Sequence, residues 1–190
     1  MAYVPFVPLR VLSSYSLLEG AIEPKAISKL AKDRGFPAIA ICDRNGLYGA
    51  VPFANACRDN GIQPIVGTLL GVQRETGGPI DWLPLYAQDE IGWQNLCHLV
   101  SRAHLDRPLE LDPHVGLSDL EGRSEGLIAL TGAGEGAWVR LLADGEHDAG
   151  PAGACGKVLA FFDRERDRLL DEHMQASAEA PSRDRVVERG

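Results

Sequence analysis

Apolar runs alternate with amphipathic segments along most of this 190-residue chain, and that alternation limits the fold more than any other feature. The clearest unit begins at Pro37-Ala38-Ile39-Ala40-Ile41, short and wholly apolar, as a parallel strand covered on both faces should be. Asp43-Arg44-Asn45-Gly46 reads as the turn that ends it. A helix over residues 50–60 follows, with Pro52 in its first turn and Gly61 as its stop, and residues 63–72 form the next extended run. Upstream, residues 4–11 read as a first strand broken by Pro5 and Pro8. Glu23-Pro24 then opens a helix whose buried stripe is Ile27, Leu30 and Ala31. Downstream come a strand over 82–87 and a helix over 89–104 with Ile91, Leu96, Leu99 and Val100 on its buried face. Residues 110–123 look irregular; 126–132 form another buried strand, before a helix through Trp138 and Leu142. The order favours parallel strand–helix–strand units in an α/β fold, and an open doubly wound sheet and a closed barrel give the same local signal.

Bulk properties narrow the function classes. With 45% hydrophobic and 24% charged residues, the chain can build an ordinary globular core. The net charge of −8 is uneven: residues 1–100 hold nine acids and eight bases, so nearly all the excess lies beyond them. Such a chain lacks the basic footprint of a phosphate-backbone binder, and autonomous tight DNA binding is not expected. Cys42, Cys57, Cys97 and Cys155 are scattered without a Cys-x-x-Cys pair, against a zinc knuckle or disulfide framework and in keeping with a reducing, cytoplasmic setting. No apolar run reaches membrane-spanning length, and residues 1–8 carry no basic region of the kind that opens a secretory signal.

The histidines do not assemble into a motif. His98 and His104 are six apart on one expected helix, not the four that places a metal pair on one face; His114 falls in a proline-bearing loop, and His147 and His173 in an acidic tail. Thr131-Gly132-Ala133-Gly134-Glu135-Gly136 follows a strand, but its glycine spacing is not that of a dinucleotide fingerprint, and a tight turn explains it better.

Four segments carry a family resemblance. Residues 9–20, Leu-Arg-Val-Leu-Ser-Ser-Tyr-Ser-Leu-Leu-Glu-Gly, resemble the opening motif of the PHP domain at the N-terminus of the bacterial DNA polymerase III alpha subunit. That motif carries two histidines at the positions held here by Arg10 and Leu12. Residues 37–49 resemble the second motif, whose Thr-Asp-His is here Cys42-Asp43-Arg44. Pro64-Ile65-Val66-Gly67 resembles the third, with Leu69 where a glutamate is usual. Residues 83–87 and Gly92-Trp93-Gln94-Asn95-Leu96 resemble the next strand and helix, with Trp82 at a histidine position. The resemblance implies a partial, distorted β/α barrel with its site at the C-terminal ends of the strands. Active relatives there bind metals that generate a hydroxide and polarise a phosphate ester. Only Glu19 and Asp43 keep ligand-type side chains; Arg10, Leu12, Arg44, Leu69 and Trp82 do not. No metal is therefore expected, with zinc or manganese entering only if this vestigial site is occupied after all. Arg10 and Arg44 could instead pair directly with Glu19 and Asp43, or all four charges could simply be solvated.

Residues 1–148 are accordingly expected to form a partial PHP domain. Residues 149–190 depart from the family and are expected to be a foreign tail, as after a frameshift or truncation, or else a cover for an open sheet edge. Within the tail, 157–174 is the one helical candidate, and the rest has a disordered composition. The resemblance implies the N-terminal portion of a DNA-directed DNA polymerase, a nucleotidyltransferase of DNA replication, whose catalytic residues lie beyond this sequence. This chain alone is expected to be inactive, with the rest of the alpha subunit and the proofreading exonuclease subunit as implied partners. The alternatives are a stand-alone metal-dependent phosphoesterase or 3′–5′ exonuclease, and an interaction module that binds through its tail.

Overall fold

The computed structural model describes residues 6–74, 77–132, 135 and 136. The element order is α1 (Pro24–Asp33), β1 (Ala38–Arg44), α2 (Ala50–Asn60), β2 (Gln63–Gln73), β3 (Ile80–Ala87), α3 (Glu90–Leu105), β4 (Val115–Gly116), α4 (Leu117–Leu120) and β5 (Leu127–Ala129). The expected helices after residue 136 and over 157–174, His147, His173 and the rest of the tail lie outside the described residues.

Local chemistry accounts for the helices. Pro24 sits in the first turn of α1, where a missing N–H costs nothing. Gly61 ends α2 in a left-handed conformation at φ 70°, and its N–H is bonded back to Arg58 and Cys57 carbonyls. Asp89 caps α3, its carboxylate accepting the Gly92 N–H at 2.8 Å. Two buried stripes differ from expectation. In α1 the buried set is Pro24, Ile27, Ser28 and Ala31, while Leu30 is exposed; in α3 Ile91 is exposed.

Strands β1, β2, β3 and β5 lie side by side in that order, with short β4 also pairing β2. The sheet is mixed rather than parallel: β1 and β4 run parallel to β2, whereas β2–β3 and β3–β5 are antiparallel. Consecutive strands β2 and β3 pair antiparallel, so the chain reverses between them where a crossover helix would have kept its direction.

The register sorts the side chains onto two faces. Ile39 and Ile41 pack with Ile27 and Ala31 of α1 and Phe53 and Cys57 of α2. On the same face, Leu70, Val72 and Leu85 pack against Leu96, Leu99 and Ala103 of α3. The opposite face carries Ala40, Cys42, Leu69 and Tyr86, with Trp82 and Leu130 against them. Helices on one side and a second apolar face on the other make an open α/β sheet of the partial-barrel kind.

The first segment corrects the expected strand. Residues 6–12 have no strand pairing of their own, yet Ala40 N–H donates to the Pro8 carbonyl (2.9 Å) and Cys42 N–H to the Val11 carbonyl (2.8 Å). Pro8 cannot return a donor, so the segment lies along β1 as an acceptor without completing a ladder.

Candidate functional site

Strand β1 runs through Asp43 and Arg44 instead of turning there, because Asp43 and Arg44 pair with Thr68 and Leu69 of β2. The turn begins one residue later at Asn45, whose φ of 47° suits asparagine better than most residues. Asn45 also ties three segments together. Its N–H donates to the Leu69 carbonyl (2.9 Å), its Nδ2 to the Pro113 carbonyl (2.6 Å), and its Oδ1 accepts the Gly71 N–H (2.9 Å).

Asp43 is buried, and its carboxylate is surrounded by donors from the 13–20 turn. Oδ1 accepts the Ser13 N–H (2.6 Å) and the Ser16 hydroxyl (2.8 Å), and Oδ2 accepts the Ser13 hydroxyl (2.7 Å). Ser16 Oγ in turn accepts the Arg44 N–H at 3.1 Å. The turn closes tightly at Gly20, where a β-carbon would lie 1.8 Å from the Ser13 carbonyl oxygen.

Arg44 organises the opening above this cradle. Its Nε donates to Glu19 Oε2 and its Nη2 lies against Glu19 Oε1, both at 2.8 Å, a two-pronged carboxylate pair. Nη2 also meets Glu135 Oε1 at 3.1 Å, and the guanidinium stacks over Trp82. Arg10 completes the group by pairing with the other Glu135 oxygen and donating to the Gly132 carbonyl at 3.3 Å. Two guanidinium groups and two carboxylates thus link residues 10, 19, 44 and 135.

The electrostatics follow from this packing. Burial pushes Glu135 up, but the hydrogen bonds and charges of Arg44 and Arg10 outweigh it and hold the carboxyl below its ordinary value. Burial acts against the charged Arg44 too, and the hydrogen bonds and charges of Glu19 and Glu135 more than reverse that effect. Burial drives the Cys42 thiol up to about 11, against a lowering hydrogen bond from Tyr86, so it is no nucleophile at neutral pH.

Of the seven positions singled out in the sequence, the fold brings Glu19, Arg44, Trp82 and Arg10 into one group. The anticipated pairs form in part. Arg44 takes Glu19 as expected, Arg10 takes Glu135 instead, and Asp43 is held by serines rather than by an arginine. Leu69 is fully buried in the apolar face, and Leu12 is half-buried. Sequence reasoning missed Ser13, Ser16, Asn45 and Glu135. The only signal for Glu135 was its place in the glycine-rich turn after β5.

A cavity of about 570 Å³ opens here, with Tyr15, Leu17 and Glu19 on one side and Arg44, Trp82 and Asp112 among its other lining residues. His104 Nε2–H donates to the Asn45 carbonyl (2.7 Å), and His114 is buried with Nδ1–H on the Asp112 carbonyl (2.7 Å). Among the described residues, no three His, Cys, Asp or Glu side chains converge as metal ligands. The same residues include no helix long and apolar enough to cross a membrane.

The sequence profile of the PHP domain matches residues 8–170, reaching past residue 148. The DNA polymerase III subunit alpha of Caulobacter vibrioides is 40% identical over 165 residues, covering 84% of this chain and 14% of that protein. The subunit of the same name from Rickettsia bellii is 37% identical over 145 residues, 76% of this chain and 12% of the relative. This chain therefore spans about one-seventh of the length of the curated relatives it matches. An amidohydrolase structure from Chromobacterium violaceum is a distant likeness, with a TM-score of 0.43 and 21% identity over 51% of this chain and 32% of that one.

Proposed function

We propose, starting from the fact that this chain belongs to the PHP domain family, that it serves as the PHP-domain portion of a DNA polymerase III alpha-type polypeptide. In that role it is a structural part of the replication machinery, inert by itself as a phosphoesterase. Template-directed nucleotidyl transfer would belong to other parts of such a polypeptide. Its partners would be those parts and the proofreading exonuclease subunit, in the cytoplasm.

The observation that carries this reading is the position of Arg44. A catalytic metal cluster needs several uncommitted imidazole and carboxylate donors around one point. Here the strand-end opening holds a guanidinium that stays charged at any relevant pH, and Glu19 and Glu135 are committed to it. Asp43 points its oxygens into serine donors. A divalent cation would meet repulsion from Arg44 and would have to strip both carboxylates from their partners. The residues present do not fit a catalytic zinc or manganese cluster, and no step is assigned to one.

The test uses the purified full chain equilibrated with zinc and with manganese. Metal content is measured after gel filtration, alongside hydrolysis of an activated phosphodiester and of 3′-labelled single-stranded DNA. The expected result is no stoichiometric metal and no metal-dependent hydrolysis. Stoichiometric metal together with turnover would overturn the reading in favour of a phosphoesterase or 3′–5′ exonuclease.

A further inference from the structure

A second cavity, of about 1220 Å³, adjoins the strand-end opening, and Trp82 and Asp112 line both. Its walls come from the paired ends of β2 and β3 and from the 107–118 stretch, which contributes Arg107, Glu110, Asp112 and His114. That stretch is held firmly. Asn45 Nδ2 donates to the Pro113 carbonyl (2.6 Å), and Val115, immediately after His114, pairs with Val72 of β2. Gly71 lets the two backbones meet, since a β-carbon there would lie 2.8 Å from the Pro113 carbonyl oxygen. Asp112 and His114 therefore line the cavity from a fixed frame.

The charges along this cavity are not balanced. Arg74 donates Nε to Asp81 Oδ2 at 2.9 Å, and Arg107 meets Asp119 Oδ2 at 3.2 Å, so both lining cations carry a carboxylate partner. Glu110 and Asp112 are exposed and pair with no cation among the described residues. Two exposed carboxylates would by themselves be ordinary solvated charges. His114 adds an independent observation. It is 3% exposed, and its Nδ1–H is committed to the Asp112 carbonyl at 2.7 Å. That bond leaves Nε2 with a lone pair and with no hydrogen-bond partner among the described residues. A buried imidazole on a cavity wall with an open acceptor calls for a donor. Arg107 Nε also lacks a partner, but that atom is itself buried and out of a ligand's reach.

We propose that this cavity binds a linear organic polycation, a diamine or polyamine whose ammonium groups pair with Asp112 and Glu110 and donate an N–H to His114 Nε2. The alkyl segments lie against Ile80, Trp82 and Leu111, the apolar part of the wall. Two arguments select this class. The uncompensated charge is negative, which turns away phosphates and nucleic acid and attracts cations. Among the described residues no three His, Cys, Asp or Glu side chains converge on one point, so the positive charges must be spread along a chain rather than held on a single metal ion. The site goes beyond the functional reading above and does not depend on it.

The experiment titrates the full chain with spermidine at pH 7 in about 0.15 M salt, which screens diffuse attraction, and follows the His114 ring nitrogens by NMR. The expected result is a saturable shift at Nε2. Asp112→Asn and Glu110→Gln should each weaken the affinity about threefold, and the double variant about tenfold, as the loss of one and two exposed ion pairs. Both side chains are exposed, so unchanged melting temperatures show that the loss is one of contact. Asp59→Asn, an exposed acid on α2, should leave the affinity as it was, and butylamine, with a single charge, should bind about tenfold more weakly than spermidine. Three outcomes would overturn the proposal. An unmoved His114 means that the cavity takes no amine. Equal weakening by Asp59→Asn means that spermidine only condenses on an acidic surface. Equal binding of butylamine or of magnesium means that the cavity does not select a polyamine.

Discussion

The guanidinium carbon of Arg44 lies 4.1 Å from the centroid of the Trp82 ring. The register explains how residues on β1 and β3 meet across β2. Arg44 is opposite Leu69, Leu69 is opposite Pro84, and Trp82 is opposite Gly71, so all project from the same face of the sheet. The planar cation covers the indole while its edge is gripped by Glu19.

Replacing Arg44 should therefore cost more than an ordinary surface charge. Arg44→Met removes a two-pronged ion pair, the contact with Glu135 and the stacking on Trp82. The combined loss should be about 1–2 kcal/mol after allowance for partial exposure. Arg44→Lys should recover less than half, because an ammonium cannot make the flat bidentate contact. Urea denaturation of the three proteins measures this, and equal midpoints would show that the group is merely solvated.

Asp43 should be worth more still. Asp43→Ala leaves the Ser13 N–H and the hydroxyls of Ser13 and Ser16 without their acceptor in a buried place, at a cost of about 3 kcal/mol. Asp43→Asn should rescue little, since its NH₂ would face donors. Proteolysis under native conditions should cut the 13–20 turn faster in both variants. Unchanged stability in Asp43→Ala would mean that the cradle contributes no net energy.

Glu135 predicts a pH dependence with a definite sign. Its folded pKa lies below its ordinary value, so its contribution is complete above the ordinary glutamate pKa of about 4.3. That contribution is lost as pH falls through the lower, folded pKa. Glu135→Gln should reduce stability at pH 7, and the gap between the two proteins should close on acidification. Thermal melts over a series from pH 7 down to pH 3 measure it; a gap that does not narrow at all across that series would point to a cause other than charge.

Leu18→Gly should stabilise the isolated chain. Glycine accepts φ 64° without penalty, and the relief should exceed its greater freedom in the unfolded state, leaving a gain of about 0.5 kcal/mol. Leu18→Asn should act in the same direction. A lower melting temperature in both would mean that the leucine makes a stabilising contact within the domain.

Helix ends were the most legible feature of the sequence, because they depend on neighbours only a few residues away. The helix read over 50–60 is α2 to the residue, and its stop is the left-handed Gly61. Pro24 marked the start of α1, and α3 begins one residue from its reading, behind the Asp89 cap. The end of β1 was misread for the opposite reason. Asp-Arg-Asn-Gly has turn chemistry, but pairing of Asp43 and Arg44 with β2 outweighs local preference and carries the strand two residues further into the site.

Strand direction was beyond reach as well, since an apolar run has the same periodicity whichever way its partner runs. The site divides along the same line. Family spacing located Arg10, Glu19, Asp43, Arg44 and Trp82, and residue chemistry showed that most could not bind metal. Which charge meets which was settled only on folding. The sheet and its flanking segments bring Glu135 to Arg10 across 125 positions of chain, while Ser13 and Ser16 reach Asp43 first. Side-chain type is written locally and survives any rearrangement of the chain. Pairing between distant charges depends on distances that exist only once the sheet has formed.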